Sequence, residues 1–538
     1  MGKDILKNLE GLPLTRRGFL KGAAGAFIAA SMGPSWRKVL AQSVNAPPEE
    51  WDEVTDVLVV GTGFAGLAAS LETHDAGVDV LTIEKAPEKY QGGNSRVSMN
   101  AFFVPKPKEK AFAYCKAMAE LAEEYLPDDV AEAWAEEMSI NDEWLRSMGV
   151  DKLVLIPGIA TSFPELPGAE GGHVMINRAC DNQSVWIPLK KTFDERGIRA
   201  LYEMRAKKLI QDPDTGEILG VVAEHRGEDI NIKARRGVVL ACGGIENDPE
   251  TQMKYCPYLN TPGYGIGTPY NTGDGIRMCQ GVGADLWHME WLIGPFYAAY
   301  RFPGTMLVPL GKEFIFVDGN GRRFSHETQA GLLNTALHCH GHMKVGNRWV
   351  PNPTPANMHM IFDESLRRKG SILTGFLTFD QLRIGWNSIF PEFMPKYSSD
   401  NMEEIRKGWI IQADSIRELA GKINMDPSTL EGTVSNYHFW CSVKKDFEFG
   451  RVSTSLGPID NPPFYAVRMV PMIIASYGGA RHNARAQIVD TAGNAIPRLY
   501  SAGEFGSTNT IHQGGSSVAE ACAFGRIAGR NAAREVRR

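Results

Sequence analysis

No stretch of this chain reaches the ~18 consecutive apolar residues of a membrane-spanning helix, so its apolar side chains are left to build a core of their own. Charge of one sign is also missing: 57 Lys and Arg stand against 63 Asp and Glu, a net −6 over 538 residues. With no basic stripe, nucleic acid is excluded as a partner. Cysteine is sparse, with eight at positions 115, 180, 242, 256, 279, 339, 441 and 522, and they lack a metal-ligand spacing. There is no C-x-x-C-H, hence no covalently attached c-type haem on this chain. No repeat or low-complexity segment appears. What remains is a large soluble protein with ample core and an expected two domains.

The most informative stretch present is Val57-Leu-Val-Val-Gly-Thr-Gly-Phe-Ala-Gly66. A β-branched and aliphatic run stops at Gly61, and Gly63 and Gly66 complete G-x-G-x-x-G as a helical pattern opens. In such a turn the first glycine makes the bend, the second admits a pyrophosphate, and the third lets helix and strand pack closely. Phosphates then sit at a helix N-terminus, where free N–H groups and the macrodipole favour anions. A second strand, Val78 to Ile83, ends in Glu84, placed about 20 residues on as a ribose-binding acid should be. These residues alone admit either NAD or FAD.

Ahead of this lies Thr15-Arg-Arg-Gly-Phe-Leu-Lys21, then a small-residue segment and Val39-Leu-Ala41. This resembles a bacterial twin-arginine export signal. The resemblance implies a signal peptide over 1–41, a twin-arginine translocase as partner, and a periplasmic protein exported already folded around its cofactor.

Downstream, 91–96 reads as a glycine-polar turn and 110–148 as helical. Strands are expected over 200–210, 218–224 and 230–234, followed by the apolar strand at 237–242. A helix is expected at 275–281 and an alanine-rich one from 518 to 533. Residues 296–460 are rich in aromatics, proline and methionine. The division is therefore 51–295, an inserted domain at 296–460, and a return at 461–538.

Four separated motifs, Gly61 to Gly66 with Glu84, Gly92-Gly-Asn-Ser95, Ala502-Gly-Glu504 and Gly514-Gly-Ser-Ser-Val518, resemble the fumarate reductase and succinate dehydrogenase flavoprotein superfamily. That group includes urocanate reductase and 3-ketosteroid dehydrogenases. Ala241-Cys-Gly-Gly244, in place of the usual A-T-G-G, and Asn271-Thr-Gly-Asp-Gly275 extend the resemblance over most of 51–538. It implies an α/β fold, a Rossmann-like FAD-binding domain with an inserted α+β capping domain. It also implies FAD, with Gly61, Gly63, Ala65 and Gly66 around the pyrophosphate and Glu84 on the ribose. Gly93, Asn94 and Ser95 face the flavin side, and Asp274 and Glu504 the ribityl or pyrophosphate region. The helix opening at Ser517 and Val518 points at the flavin edge.

The reacting end departs from the fumarate pattern. Arg323-Phe-Ser-His-Glu327 matches in outline, but Gly331 stands where fumarate reductases carry an arginine and steroid dehydrogenases a tyrosine. His512 replaces a second arginine, and Ser476 or Ala475 a histidine. A dicarboxylate leaving water needs charge-assisted partners, so fumarate is not the expected substrate. His512 and Tyr477 are the candidate catalytic residues, as acid or hydrogen-bond donor. Arg481 and His482 read equally as ligands or as a structural turn. His338, His340 and His342 lack a supporting ligand set, so no metal is assigned.

The resemblance implies hydride transfer between flavin N5 and an activated C=C or CH–CH bond of a small-molecule substrate. Aromatics at 296, 297, 300, 302, 349 and 376 suit an apolar or cyclic enone. Electrons then pass through a separate carrier such as a c-type cytochrome. The alternatives are a 3-ketosteroid-type dehydrogenase and, from another class, a non-catalytic flavin-binding electron-transfer subunit.

Overall fold

A computed structural model describes residues 47–156, 161–177, 185–294, 296–300, 305–307, 310–328, 338–339, 341–345, 348–351, 353–375, 377–379, 382–509 and 511–538. The expected signal peptide, Gly331, His340, Phe302 and Phe376 lie outside the described residues.

Strand β1 (Glu53–Val60) runs into helix α1 (Phe64–Asp75) and returns as β2 (Val80–Ile83). The glycine-polar segment expected as a turn forms a short helix, α2 (Gly93–Val97). The helical stretch expected as one run is three: α3 (Lys108–Leu121), α4 (Asp128–Ser139) and α5 (Asn141–Ser147). The first piece ends where Glu123 takes φ +58° and Glu124 N returns to the Ala119 carbonyl at 2.9 Å, a left-handed cap on the last turn, and Pro127 then stands immediately before α4. Strands β3 (Arg199–Leu201), β4 (Met204–Gln211), β5 (Ile218–His225) and β6 (Glu228–Leu240) follow, then α6 (Asp274–Gln280).

The middle of the chain contributes β7 (Phe296–Ala299), β8 (Phe314–Val317), β9 (Met358–Asp363) and β10 (Ile410–Ala413). Helices α7 (Ile416–Lys422) and α8 (Pro427–Ser442) come next, then the long strand β11 (Phe464–Ile473). The chain ends with β12 (Gln487–Val489), β13 (Ala495–Ser501) and α9 (Ser516–Arg534).

The first sheet has the order β12-β13-β6-β1-β2-β3, with β4 and β5 attached as a hairpin to β6. From β13 to β3 every pairing is parallel. β1 is thus an interior strand covered on both faces, and from Thr55 to Val60 it is wholly buried, which is why it reads as an unbroken apolar run. Helices α1 and α9 pack over this sheet, and Gly525 and Gly529 let α9 approach the α1 backbone at Ala65 and Ala69.

The second sheet is built around β11. It pairs antiparallel with β7, β9 and β10, and β9 pairs in turn with β8. One face buries Phe314, Phe316, Met358, Met360, Phe362 and Tyr465, and α7 and α8 cover the other over Ile315, Val317 and Ile361. This corrects the boundary drawn at 461: β11 is the centre of the inserted sheet, so the chain returns to the first sheet only beyond Ile473. Apart from Arg468 it is a nearly continuous apolar run, buried almost throughout like β1, and nothing local marks which sheet it joins.

Candidate active site

The C-terminal ends of β1 and β2, the starts of α1 and α9, and the loops at 241–243, 268–274 and 502–504 enclose a cleft of ≈ 970 Å³ counted to its open mouth. Gly61, Gly63, Ala65, Glu84, Gly93, Asn94, Ser95, Asp274, Glu504, Ser517 and Val518 all line it. Gly66 stands behind the lining, where a Cβ would overlap the Gly61 carbonyl oxygen. Gly61 itself has φ +112°, and a Cβ there would overlap the Ala241 carbonyl. Both positions therefore demand glycine, one for its backbone and one for helix–strand approach.

One loop, 271–274, divides the polar groups of the cleft. On one side, Glu84 accepts from Thr62 N (3.1 Å), Thr62 Oγ1 (2.5 Å) and Ala86 N (2.9 Å). Its neighbour Lys85 reaches Asp274 at 2.8 Å, and Arg205 and Arg277 reach the other Asp274 oxygen at 2.7 and 2.9 Å. Burial opposes the Asp274 charge, but the hydrogen bond from Arg205 and the Lys85 ammonium outweigh it and hold the carboxyl at about 2. None of these three cations was singled out from sequence. Ser95 Oγ accepts from Phe64 N at 2.9 Å, so it sits at the mouth of α1 and not with Asn94.

On the other side, Asn271 and Asn94 donate to Glu504, each at 3.0 Å. Glu246, 1% exposed, lies against Asn271 and Ser476. Burial pushes both carboxyls up, and for Glu504 the neighbouring Glu246 adds to the effect. Ser476 leads directly to Tyr477, whose ring is fully buried. The Tyr477 hydroxyl lies 2.9 Å from His512 Nδ1 and accepts from Ser517 Oγ at 3.3 Å. The structure thus joins the two candidate catalytic residues to each other and to the cleft-lining serine. His512 keeps one partly exposed edge, yet burial pushes its imidazole down to about 4, so it is neutral at physiological pH.

A residue missed from sequence supports this group. Glu520, one turn into α9 and 1% exposed, accepts from Ser507 Oγ (2.9 Å), Thr508 N (2.5 Å), Asn509 N (3.2 Å) and Asn509 Nδ2. Ser507 N in turn donates to the Tyr477 carbonyl at 3.0 Å. The carboxylate therefore fixes the turn between Tyr477 and His512. Its alanine-rich helix gave no signal beyond an acid among small residues.

Other sequence candidates are committed elsewhere. Arg323 and Glu327 pair at 2.8 Å inside the inserted domain, joined by Asp446 and Arg451, with all four side chains fully buried. Tyr437, Trp440 and Phe449 surround the Arg323 guanidinium. His482 packs between Trp287, edge to face, and Phe524, and Arg481 pairs with Asp285, which resolves that segment as a structural turn. Tyr297 packs on Phe316 and Phe324 in the core of the second sheet, correcting its reading as a pocket aromatic. Among the described residues no group of acids, histidines and cysteines is placed to hold a metal.

A family model described as an FAD binding domain matches residues 56–518, and the chain belongs to that family. It is an FAD-dependent oxidoreductase. Among its relatives is a probable fumarate reductase of Shewanella frigidimarina, 27% identical over 503 residues, covering 90% of this chain and 75% of that one. A digoxin reductase of Eggerthella lenta is 27% identical over 589 residues, covering 96% of each. The fold is shared with the crystal structure of a 3-ketosteroid Δ1-dehydrogenase from Sterolibacterium denitrificans, with a TM-score of 0.66 and 21% identity over 89% of this chain and 99% of that one. The cleft suits FAD: two helix starts face it, and the two glycines keep side chains out of the strand-to-helix turn.

Proposed function

We propose that this protein transfers hydride between flavin N5 and an activated C=C or CH–CH bond of a substrate that is not a dicarboxylate, of apolar or cyclic enone type. The observation that carries this is the chain Ser517–Tyr477–His512, a set of uncharged hydrogen-bonding groups ending at the cleft. A neutral imidazole offers no counter-charge to a carboxylate but can pass a proton to or from a phenol. A digoxin reductase among the relatives supports a large, weakly charged substrate.

FAD, when bound, supplies the hydride chemistry at its N5 position. In this reading the α1 start with Gly61, Gly63 and Ser95 holds the pyrophosphate, and Glu84 the ribose. Asn94, Glu504 and the α9 start with Ser517 and Val518 meet the flavin half. Tyr477 holds the proton for the substrate's α-carbon or carbonyl oxygen, and His512 Nδ1 exchanges it. The inserted domain excludes water from the closed site. The segment Thr15–Lys21 supports twin-arginine export to the periplasm, and the missing haem motif supports a separate electron carrier such as a c-type cytochrome.

The test is anaerobic mixing of the FAD-loaded protein, oxidised or pre-reduced, with enones, steroids, cinnamates and fumarate, following the flavin absorption band. An enone or steroid should change the band while fumarate leaves it unaltered. Fumarate acting as fast as any enone would sink the proposal. No response to any compound would favour a non-catalytic electron-transfer subunit.

A further inference from the structure

We infer that Glu246 and Glu504 form a buried proton-binding site beside the cofactor cleft, in which a proton is held by the pair and not by either carboxyl alone. Nothing in the reading of Tyr477 and His512 requires it. The argument starts from a count of partners. Glu504 has two amide donors, Asn94 Nδ2 and Asn271 Nδ2, both at 3.0 Å. Glu246 is 1% exposed, and it has only Asn271 and Ser476 beside its oxygens, neither at full hydrogen-bond geometry. Asn271 adjoins both residues, so the two carboxyls are near neighbours.

No cation compensates them among the described residues. The elements packed around the pair carry Asp248, Asp274, Arg277, Arg96, Tyr477 and His512. Arg277 is bound to Asp248 and Asp274, and Asp274 also to Lys85 and Arg205. Arg96 lies over Trp186 and Phe390. Tyr477 and His512 bond to each other. Two unpaired negative charges side by side in such surroundings are strongly unfavourable, and one proton removes both the repulsion and half of the desolvation cost. Titration then belongs to the pair and not to either residue. Both carboxyls are pushed up, by burial first, in the same direction. With FAD in this cleft, as proposed above, the pair is also placed to take up a second proton when electrons add negative charge next to it.

The experiment is thermal unfolding of the FAD-loaded wild type and Glu246→Gln at about pH 5.5 and about pH 8.5, with no substrate present. An acid whose folded pKa lies above its unfolded value near ~4.3 gives stability that is full below that value and is lost as pH rises through the folded pKa. Removing one member of the pair should therefore raise the melting temperature relative to wild type more at the higher pH. In parallel, the midpoint potential of bound FAD should depend less steeply on pH in Glu246→Gln. An equal change in melting temperature at both pH values, or a larger loss at the higher one, would overturn the inference. Should Glu246→Gln fail to load FAD, Glu504→Gln carries the same comparison, because it too leaves a single carboxyl. Neither readout involves an organic substrate, so failure of the proposed reaction would leave this result standing.

Discussion

Asp274 and Glu504 are both acids at the edge of the same cleft, reached by the same loop, and their surroundings drive them in opposite directions. Lys85, Arg205 and Arg277 converge on Asp274 and keep it ionised to about pH 2. Glu504 receives only amide donors and a second acid as neighbour, and is pushed up. Burial opposes the charge in both cases, so the difference is made by counter-ions. One side of the 271–274 loop is a fixed ionic lattice suited to anchoring. The other, the neutral side in the sense that no cation among the described residues lies on it, carries Glu246, Glu504, Ser517, Tyr477 and His512, the proton-exchanging groups of the proposed reading. In the proposed reading, anchoring and chemistry are thus separated within one cleft by where the cations lie.

The sharpest way to break that division is to attack the neutral side first. Tyr477→Phe removes the hydroxyl shared by His512 and Ser517 without opening a large cavity. It should slow single-turnover flavin oxidation or reduction by about 10²- to 10⁴-fold, the usual worth of a positioned acid or base, while the ratio of FAD to protein is retained. His512→Ala should act in the same direction. If both variants react at the wild-type rate, the proton-exchanging side has been placed wrongly.

The matching attack on the ionic side is Asp274→Asn, which leaves Lys85 and Arg205 without their shared carboxylate. The Lys85 side chain is 19% exposed and that of Arg205 48%, so water screens much of the loss. A destabilisation of about 1–2 kcal/mol is expected, below the cost of breaking a fully buried pair. FAD loading should fall while the rate per bound FAD holds. The acid dependence has a defined sign, because the folded pKa of Asp274 lies below the unfolded ~3.9. Its contribution is present above about pH 4 and is lost as pH falls through about 2. Melting curves of wild type and Asp274→Asn should therefore converge across that acid window. Curves that stay parallel would show that the charge of Asp274 does not matter.

Sequence made one half of this comparison legible. Gly61, Gly66 and Glu84 follow from local rules, because a strand-to-helix turn at a phosphate site needs glycine at fixed offsets, and every other cofactor residue carried over from the motifs lines the cleft. Distant partners were not legible. Arg205 lies on β4 and no local pattern indicates that it meets Asp274, whereas Arg277, three residues on in α6, is the helical neighbour that spacing alone would suggest. The strand at 464–473 shows the same limit at the level of fold, since an apolar run gives a buried strand but not its sheet. Arg323 and Glu327 show it at the level of motif: their spacing resembles an active-site signature, yet Asp446 and Arg451, more than a hundred residues away, complete an interior ion network.

The smallest expected effect concerns Glu520, which tests whether the neutral side needs its own support. Glu520 is buried and pushed up to about 7, burial being the larger influence and the donors from Ser507, Thr508 and Asn509 opposing it. Glu520→Gln presents an NH₂ group to a turn made mainly of donors, so about 1 kcal/mol of stability should be lost through unsatisfied hydrogen bonds. The stability that wild type draws from the protonated acid is full below ~4.3 and disappears as pH rises through about 7. The deficit of the glutamine variant should accordingly be largest below about pH 5 and narrow above about pH 7. Glu246→Gln should show a gain that grows with pH, because Glu246 has only the poorly aligned Asn271 and Ser476 to lose. Thermal unfolding of the two FAD-loaded variants at the same pH values measures both. A Glu520→Gln deficit that widens with pH would mean that this acid is ionised throughout, and that the turn before His512 is held by a charge after all.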